Sequence, residues 1–488
     1  MGVLEPANTG LGRIGSYSPV LHDAYKVSIR DTMKLSVSIP RPVHDTLLKH
    51  LIREDGQEDL CFALWHQSSG ISRRTALISE AILPEEDERK IDGNASFFPQ
   101  YFERIIRIAR RKKTGIAFLH SHPSPGWQDM SGTDRRTEMT ISGAVKAATN
   151  LPLVGLTVGN DGTWSARFWC KNKHGKFVPQ WCDSVRAIGD WLEISLPPAL
   201  KEYRKRKSQD RSLAAWGESV QNIMSNIKVG VIGTGSVGSI VAESLARIGV
   251  GDIMLMDYDL IKTENLDRML HSYEKDVGKP KVKVLAKAIK KSSSALNPII
   301  EPLILNVCSE EGYRKALDCD VLFSCVDRPW PRSVLNHIAL SHLIPVIDGG
   351  ISVERRKDGI GMLRADWRAL TVTPTRACME CLHQYDPGDV QADREDLFDN
   401  PGYIRNLTED HFAKRNANVF GFSLNLASLE LLQFISLMVP MPGRRNPGEQ
   451  VYHFVPAILD ISLGKCKPTC FPHSLLSLGD DIGLTLTT

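Results

Sequence analysis

The stretch from Lys228 to Lys281, KVGVIGTGSVGSIVAESLARIGVGDIMLMDYDLIKTENLDRMLHSYEKDVGKPK, constrains this chain more than any other. An apolar run, Val229 to Ile232, meets the turn Gly233-Thr234-Gly235-Ser236-Val237-Gly238. An alanine- and leucine-bearing helical run follows, then a second apolar run that ends in Asp257. The pattern is strand, turn, helix, strand, with the helix N-terminus facing the turn. Free backbone N–H groups and the helix dipole make such a turn an anion site. The first glycine permits the turn, the second lets a phosphate approach the backbone, and the third lets the helix sit close to the strand. Asp257 follows Gly238 by 19 residues, the distance at which an acid reaches a ribose hydroxyl. A nucleotide is the expected ligand.

A chain of 488 residues has room for two or three domains, and 42% hydrophobic residues suffice for sizeable cores. The net charge of +3 argues against a dedicated nucleic-acid binder. The basic runs Arg104–Lys113 and Lys201–Arg211 read as solvated helix faces or linker. No charged segment followed by an apolar one opens the chain, and no apolar run reaches membrane-spanning length; a cytoplasmic location is expected. Ten cysteines in a reducing compartment read as thiols or metal ligands.

Residues 1–34 are expected to be a weakly ordered lead-in to a first domain over 35–180. A helix over Val43–Ile52, strand-like runs at Cys61–Trp65 and Arg74–Leu83, and a helix over Phe98–Arg111 precede a strand at Gly115–His120. That strand ends in His120-Ser121-His122-Pro123, followed by Ser131-Gly132-Thr133-Asp134. Histidines at i and i+2 on a strand end point the same way. With Asp134 they give three ligands and leave an open position, as in catalytic zinc sites. The stretch resembles the JAMM motif of MPN-domain metalloproteases, which cleave after the C-termini of ubiquitin-like proteins. The resemblance spans roughly 35–175. It implies that His120, His122 and Asp134 hold zinc, that Glu58 before a strand is general base, and that Ser131 stabilises the oxyanion. Glu80 is a second, weaker candidate for the base. Eight residues separate His122 from Ser131, one more than is usual in that family.

Residues 181–215 read as a linker and 216–488 as a second, nucleotide-binding domain. Four features past the glycine turn separate carboxylate activation from hydride transfer. Asn265 and Arg268 follow Asp257 closely, Lys281 comes after them, and Asp327 ends the apolar run Val321–Val326. Cleavage of ATP between its α- and β-phosphates calls for cations against the leaving pyrophosphate and an acid to hold magnesium. The set resembles the adenylation domain of the ThiF/MoeB and ubiquitin-activating superfamily. The implied fold is a Rossmann-like α/β domain with a mostly parallel sheet. The implied roles are Gly233, Gly235 and Gly238 at the nucleotide, Asp257 at ribose, Asn265, Arg268 and Lys281 at the phosphates, and Asp327 at Mg2+. Arg211 resembles the arginine that reaches ATP, often from a dimer partner. Ser236 and Met269 replace a glycine and a glutamine usual in that family.

Cys378-x-x-Cys381 and Cys466-x3-Cys470 form two pairs suited to a closed four-thiolate zinc site, with His473 as a substitute ligand. The superfamily carries such a structural site in the same place. No cysteine lies between Cys381 and Cys466, where thioester-forming members keep one. An acyl-adenylate would therefore pass directly to a partner's thiol or to an amine. The expectation is a bifunctional enzyme of a bacterial ubiquitin-like pathway, some members of which serve phage defence. It would trim or deconjugate a ubiquitin-like protein and adenylate its C-terminal glycine, using ATP, Mg2+, one catalytic Zn2+ and one structural Zn2+. A conjugating enzyme or sulfur donor, and a second copy in a homodimer, are further expected partners. The alternatives are a sulfur-carrier activating enzyme for cofactor synthesis and a non-catalytic scaffold that binds a carrier.

Overall fold

A computed structural model describes residues 33–488 except 93, 199, 201–204, 359, 409–410, 415–416, 444–445, 485 and 487–488. The lead-in expected over 1–34 lies, save its last two residues, outside the described residues. Lys34 itself begins a strand.

The first half is built on a nine-stranded mixed sheet. Its order is Leu192–Ser195, Ser184–Ile188, Lys34–Pro40, Arg73–Ile82, Leu60–Ser69, Gly115–Ser121, Leu153–Val158, Trp164–Lys171, Phe177–Trp181. The strand Leu60–Ser69 shows why the sheet is covered on both sides. Cys61, Ala63 and Trp65 lie in one core with Leu47 and Leu51 of the helix Arg41–Leu51. Phe62 and Leu64 alternate to the other face and meet Tyr101, Ile105 and Ala109 of Pro99–Lys112, and Ile141 and Val145 of Gly132–Thr149. Strands buried on both faces read as unbroken apolar runs. The sheet also corrects the sequence boundary at 180. Ser184–Ile188 pairs parallel with Lys34–Pro40, so residues expected to lead out of the domain complete its sheet. The basic run is not all solvent-facing linker either, since Arg206 donates to the carbonyls of Ser294 and Ala295 at 2.8 Å.

The second half carries an eight-stranded sheet in the order Ile299–Leu303, Asp252–Met256, Lys228–Ile232, Val321–Ser324, Val346–Arg355, Met362–Val372, Glu449–His453, Ile458–Ser462. The first five strands are parallel and the rest antiparallel. The helix Phe420–Met438 is long and apolar enough to cross a membrane. Here it lies against the sheet, with Phe434 and Leu437 fully buried in the core.

The two halves join through buried charge. Asp320, at the start of its strand, accepts from Arg73 at 2.7 Å and from Arg186 at 3.0 Å, both on the first sheet. Its other oxygen accepts the backbone N–H of Lys228 at 2.8 Å, where the glycine-turn strand begins. Arg73, Arg186 and Asp320 are all nearly inaccessible. Beside them, Asp318 accepts from the Ser72 N–H and hydroxyl at 2.9 and 2.8 Å. The Ser68 hydroxyl meets His342 Nδ1 at 2.8 Å.

Candidate functional site

The strand order reverses at Lys228–Ile232, because its two neighbours lead to opposite sides of the sheet. Ligands bind at such a switch point, at the carboxyl ends of the strands. The glycine turn stands there. Gly233 has φ +86°, a conformation that favours glycine. A Cβ on Gly238 would fall 1.9 Å from the Gly233 carbonyl oxygen, so the helix could not approach. A Cβ on Gly235 would meet nothing, which leaves that side open for a ligand. The helix Ser236–Ile248 starts with no side-chain cap, so its first N–H groups keep their capacity for an anion.

Asp257 closes one side of the turn. Its carboxylate accepts from the Thr234 N–H at 2.7 Å and from the Asp259 N–H at 2.9 Å. The chain then hangs a closed loop from this strand. The Ile261 N–H bonds to the Lys279 carbonyl and the Gly278 N–H to the Ile261 carbonyl. Asn265 and Arg268 share a tight turn of this loop, and the Leu270 N–H bonds to Ser239 Oγ on the glycine helix at 3.1 Å. Lys281, nearly buried at the loop's end, is held by Asp259 at 2.7 Å. Asp327 is exposed in the turn after Val321–Ser324, on the other flank of the central strand. The neighbouring Arg328 binds Asp393 at 3.0 Å and Asp399 at 3.2 Å, which ties this turn to the helix Pro387–Arg394 and the turn after it.

Gly233, Gly235, Gly238, Asp257, Asn265, Arg268, Lys281 and Asp327 therefore gather at one edge. Arg211 does not join them. Gln209, two residues earlier, bonds to Ser294 and sits against Gly249 at the far end of the glycine helix, about 20 Å along its axis. Sequence reasoning missed Asp259 and Tyr258, which flank the site directly after Asp257. Tyr258 is exposed, and partial desolvation, then the charge of Asp259, pushes its phenol upward. A second acid, Asp259, two residues past Asp257 was the available signal.

In the first half, His120 Nε2 and His122 Nε2 lie 3.5 and 3.3 Å from Asp134 Oδ2. Donors about 2.05 Å from one tetrahedral ion stand about 3.3 Å apart, so the three residues fit a zinc ion. Ser131 caps the helix that carries Asp134. Its Oγ accepts from the Asp134 N–H at 3.1 Å, and its N–H donates to Asp134 Oδ2 at 2.7 Å. Ser131 thus fixes the carboxylate, and its hydroxyl proton stays available. Glu58 precedes the strand that pairs Leu60 with His120. The Ser121 N–H bonds to the Asp59 carbonyl at 3.0 Å, so the same register sets Glu58 opposite His122. The Asp134 hydrogen bond, above all, and the nearby Glu58 charge hold His122 above its usual pKa. Glu80 pairs instead with Lys112, at the end of a helix.

Cys378, Cys381, Cys466 and Cys470 bring their sulfurs within 4.8 Å of one another. Cys378 Sγ is 3.6 Å from Cys470 Sγ, close to the roughly 3.8 Å edge of a tetrahedron with 2.3 Å Zn–S bonds. The Cys466 and Cys378 sulfurs accept from backbone N–H groups of Cys378 and Cys381 at 3.3 and 3.5 Å. Hydrogen bonding from Cys466 pulls the Cys378 thiol well below its usual pKa. His473 turns to the Pro374 carbonyl at 3.3 Å, so four sulfurs form the set without it.

Residues 208–439 match the model of the ThiF family. This chain is similar to the SAMP-activating enzyme E1 of Haloferax volcanii, 27% identical over 178 residues, 36% of this chain and 60% of that protein. It is 38% identical over 109 residues to the tRNA threonylcarbamoyladenosine dehydratase of Bacillus subtilis, 22% of this chain and 41% of that protein. It is 28% identical over 144 residues to the sulfur carrier protein ThiS adenylyltransferase of the same species, 30% and 43% of the respective chains. The chain thus spans less than two thirds of each of these relatives. The matched region begins after the first sheet ends and contains the glycine turn, its loop and Asp327. Residues 208–439 of this chain are a ThiF-type domain.

Proposed function

We propose that the second half adenylates the C-terminal carboxylate of a ubiquitin-like or sulfur-carrier protein. The observation that carries this reading is the meeting of the glycine turn, Asp257, the Asn265–Arg268–Lys281 loop and Asp327 at the sheet's switch point. The names of the relatives support the reaction type. A carboxylate oxygen forms a bond to the α-phosphorus of ATP, and the bond from that phosphorus to the bridging oxygen breaks. Pyrophosphate leaves with the electron pair. Lys281 and Arg268 neutralise the leaving charge, Asp257 holds the ribose, and Asp327 is positioned to hold Mg2+. The segment between Cys381 and Cys466 carries no cysteine, so the adenylate passes to a nucleophile outside this chain. Arg211 could serve only a second copy, which favours a homodimer.

For the first half, the reading is an MPN-type peptidase or isopeptidase that cuts after the same carrier's C-terminal glycine, trimming a precursor or removing a conjugate. Bound zinc would supply Lewis acidity there, held by His120, His122 and Asp134. Glu58 holds and delivers the proton, and Ser131 orients Asp134. One chain that frees a tail and activates it keeps the product at high effective concentration.

The test is ATP–pyrophosphate exchange with purified carriers that end in glycine. Exchange by the wild-type protein is expected. Lys281→Ala should lower it about 10- to 100-fold, the worth of one charge-assisted hydrogen bond. Absence of exchange with every carrier would sink the reading. Transfer of sulfide to the carrier, without lysine conjugates, would select the sulfur-carrier role.

The four-cysteine set is read as structural zinc. From Cys470 the chain runs through a short helix to Gly479–Asp481, and Gly479 lies against the Gln67 carbonyl of the first sheet. Cys378→Ser is therefore expected to remove one equivalent of zinc by elemental analysis and to lower the thermal midpoint by several degrees. Unchanged zinc content would reject the assignment.

A further inference from the structure

One carboxylate ties together the three elements that carry Gly238, Arg268 and Lys281. Glu243 stands on the glycine helix Ser236–Ile248, about 10 Å along its axis from Ser236. It is buried. Its Oε2 lies 3.1 Å from His271 Nε2 and accepts from Ser292 Oγ at 2.6 Å. Its Oε1 accepts from Arg247 Nε at 2.6 Å. A carboxylate only accepts, so His271 Nε2 carries a proton and donates. His271 follows Arg268 closely in the loop between Asp257 and Lys281. Ser292 ends the helix Lys281–Ser292, which Lys281 begins. That helix is a rod about 17 Å long, held at Glu243 by its far end.

The backbone at His271 has φ +64°, the left-handed region that a residue with a Cβ enters at a cost. Such a conformation persists only where its surroundings over-determine it. Contacts on two successive residues do so here. The Leu270 N–H donates to Ser239 Oγ at 3.1 Å, and the His271 ring reaches Glu243. Ser239 and Glu243 lie one turn apart on the same helix face, so the loop runs along the glycine helix in one register. The ring keeps 28% of its surface accessible, so it fills no core space that would offset the strained backbone. Among the described residues, Arg268 bonds only to Glu264 and Asp267 of its own loop. Its place relative to the glycine turn therefore comes from that register.

We propose that His271, acting through Glu243, is a positioning residue that sets Arg268 and Lys281 against the β- and γ-phosphates of the nucleotide, at a fixed spacing from the glycine turn. This rests on the adenylation reading and assigns residues that do not themselves touch the nucleotide. AMP needs only the glycine turn and Asp257, whereas a triphosphate also needs the loop and Lys281. The brace should therefore act on one ligand and not on the other.

The probes are α,β-methylene ATP with Mg2+, and AMP, bound to the full chain and measured by titration calorimetry. The wild type should bind the triphosphate at least about 10-fold tighter than AMP. His271→Gly removes the ring and takes φ +64° without strain. The lost bond and the relieved backbone nearly cancel, so the thermal midpoint should stay within about 3 °C. Affinity for the triphosphate should fall about 10-fold, the worth of one misplaced charge-assisted hydrogen bond, while that for AMP stays within about twofold. His271→Gln keeps a donor and should recover part of the difference. Ser292→Ala loosens the far end of the Lys281 helix and should lower the triphosphate-to-AMP ratio about threefold; it decides the matter if His271→Gly fails to fold. An unchanged ratio in the deciding variant, an equal loss of both ligands, or a wild type without preference for the triphosphate overturns the assignment. The two readings fail separately. A ratio that falls in His271→Gly, with no pyrophosphate exchange by the wild type, sinks adenylation, whereas exchange with an unchanged ratio sinks the brace.

Discussion

Glu58→Gln is expected to slow cleavage after a ubiquitin-like tail by about 10²- to 10⁴-fold, the usual worth of a general base, while zinc content and thermal stability stay at wild-type values. The geometry gives the reason. Strand register sets Glu58 opposite His122, two residues beyond the Leu60–His120 pair. Its carboxylate carries no structural ion pair among the described residues, unlike the adjoining Asp59, which Arg53 and Arg89 engage. Replacing it with an amide removes the proton acceptor and little else. Glu80→Gln breaks only a surface pair with Lys112, so it should change cleavage less than twofold. Hydrolysis of a carrier–peptide fusion, followed by mass spectrometry, separates the two variants. Equal rates for Glu58→Gln and wild type would remove Glu58 from the chemistry. A wild-type protein that cleaves nothing, with or without added zinc, would reject the peptidase reading.

Asp320→Ala is expected to cost about 3–5 kcal/mol of stability, read as a fall in the urea midpoint. The substitution leaves Arg73 and Arg186 buried without their counter-charge and the Lys228 N–H without its acceptor. The effect should reach both halves, because the first strand of the nucleotide site starts at that N–H. Burial alone would raise the Asp320 pKa, but the two guanidiniums outweigh it and the carboxyl is held low. Its stabilising contribution is therefore complete above the unfolded value of about pH 3.9 and is lost as pH falls below it. The variant should lack that part of the acid-induced loss. Replacing all three charges with apolar residues of similar size should recover much of the stability. A cost below about 1 kcal/mol would mean that water reaches the network.

Much of each site was readable because its chemistry is local in sequence. The spacing of Gly233, Gly235, Gly238 and Asp257 defines a glycine turn of the phosphate-binding type whatever surrounds it. The i, i+2 spacing of His120 and His122 puts both rings on one side of a strand end. Other assignments needed partners that sequence does not order. Trp181–Leu196 has no distinctive period, and only its parallel pairing to Lys34–Pro40 makes it part of the first sheet. Glu58 and Glu80 are both acids near strands, and register alone separates them. Glu243, His271 and Ser292 come from two helices and the loop between them, spread over about fifty residues. Nothing in their spacing announces a cluster.

By itself, then, the sequence determined the glycine turn, the His, Asp and Cys clusters of a type suited to metal, and the two-part order of the chain. Each follows from backbone and ligand geometry over a few residues. The tertiary structure decided the rest. It brought Asp327 and the Asn265–Lys281 loop to opposite flanks of one turn, and it sent Arg211 to the far end of the glycine helix. It also welded the two halves through Asp320. Such outcomes depend on which strands pair and where burial leaves a charge in need of a partner, and those are properties of the packed whole.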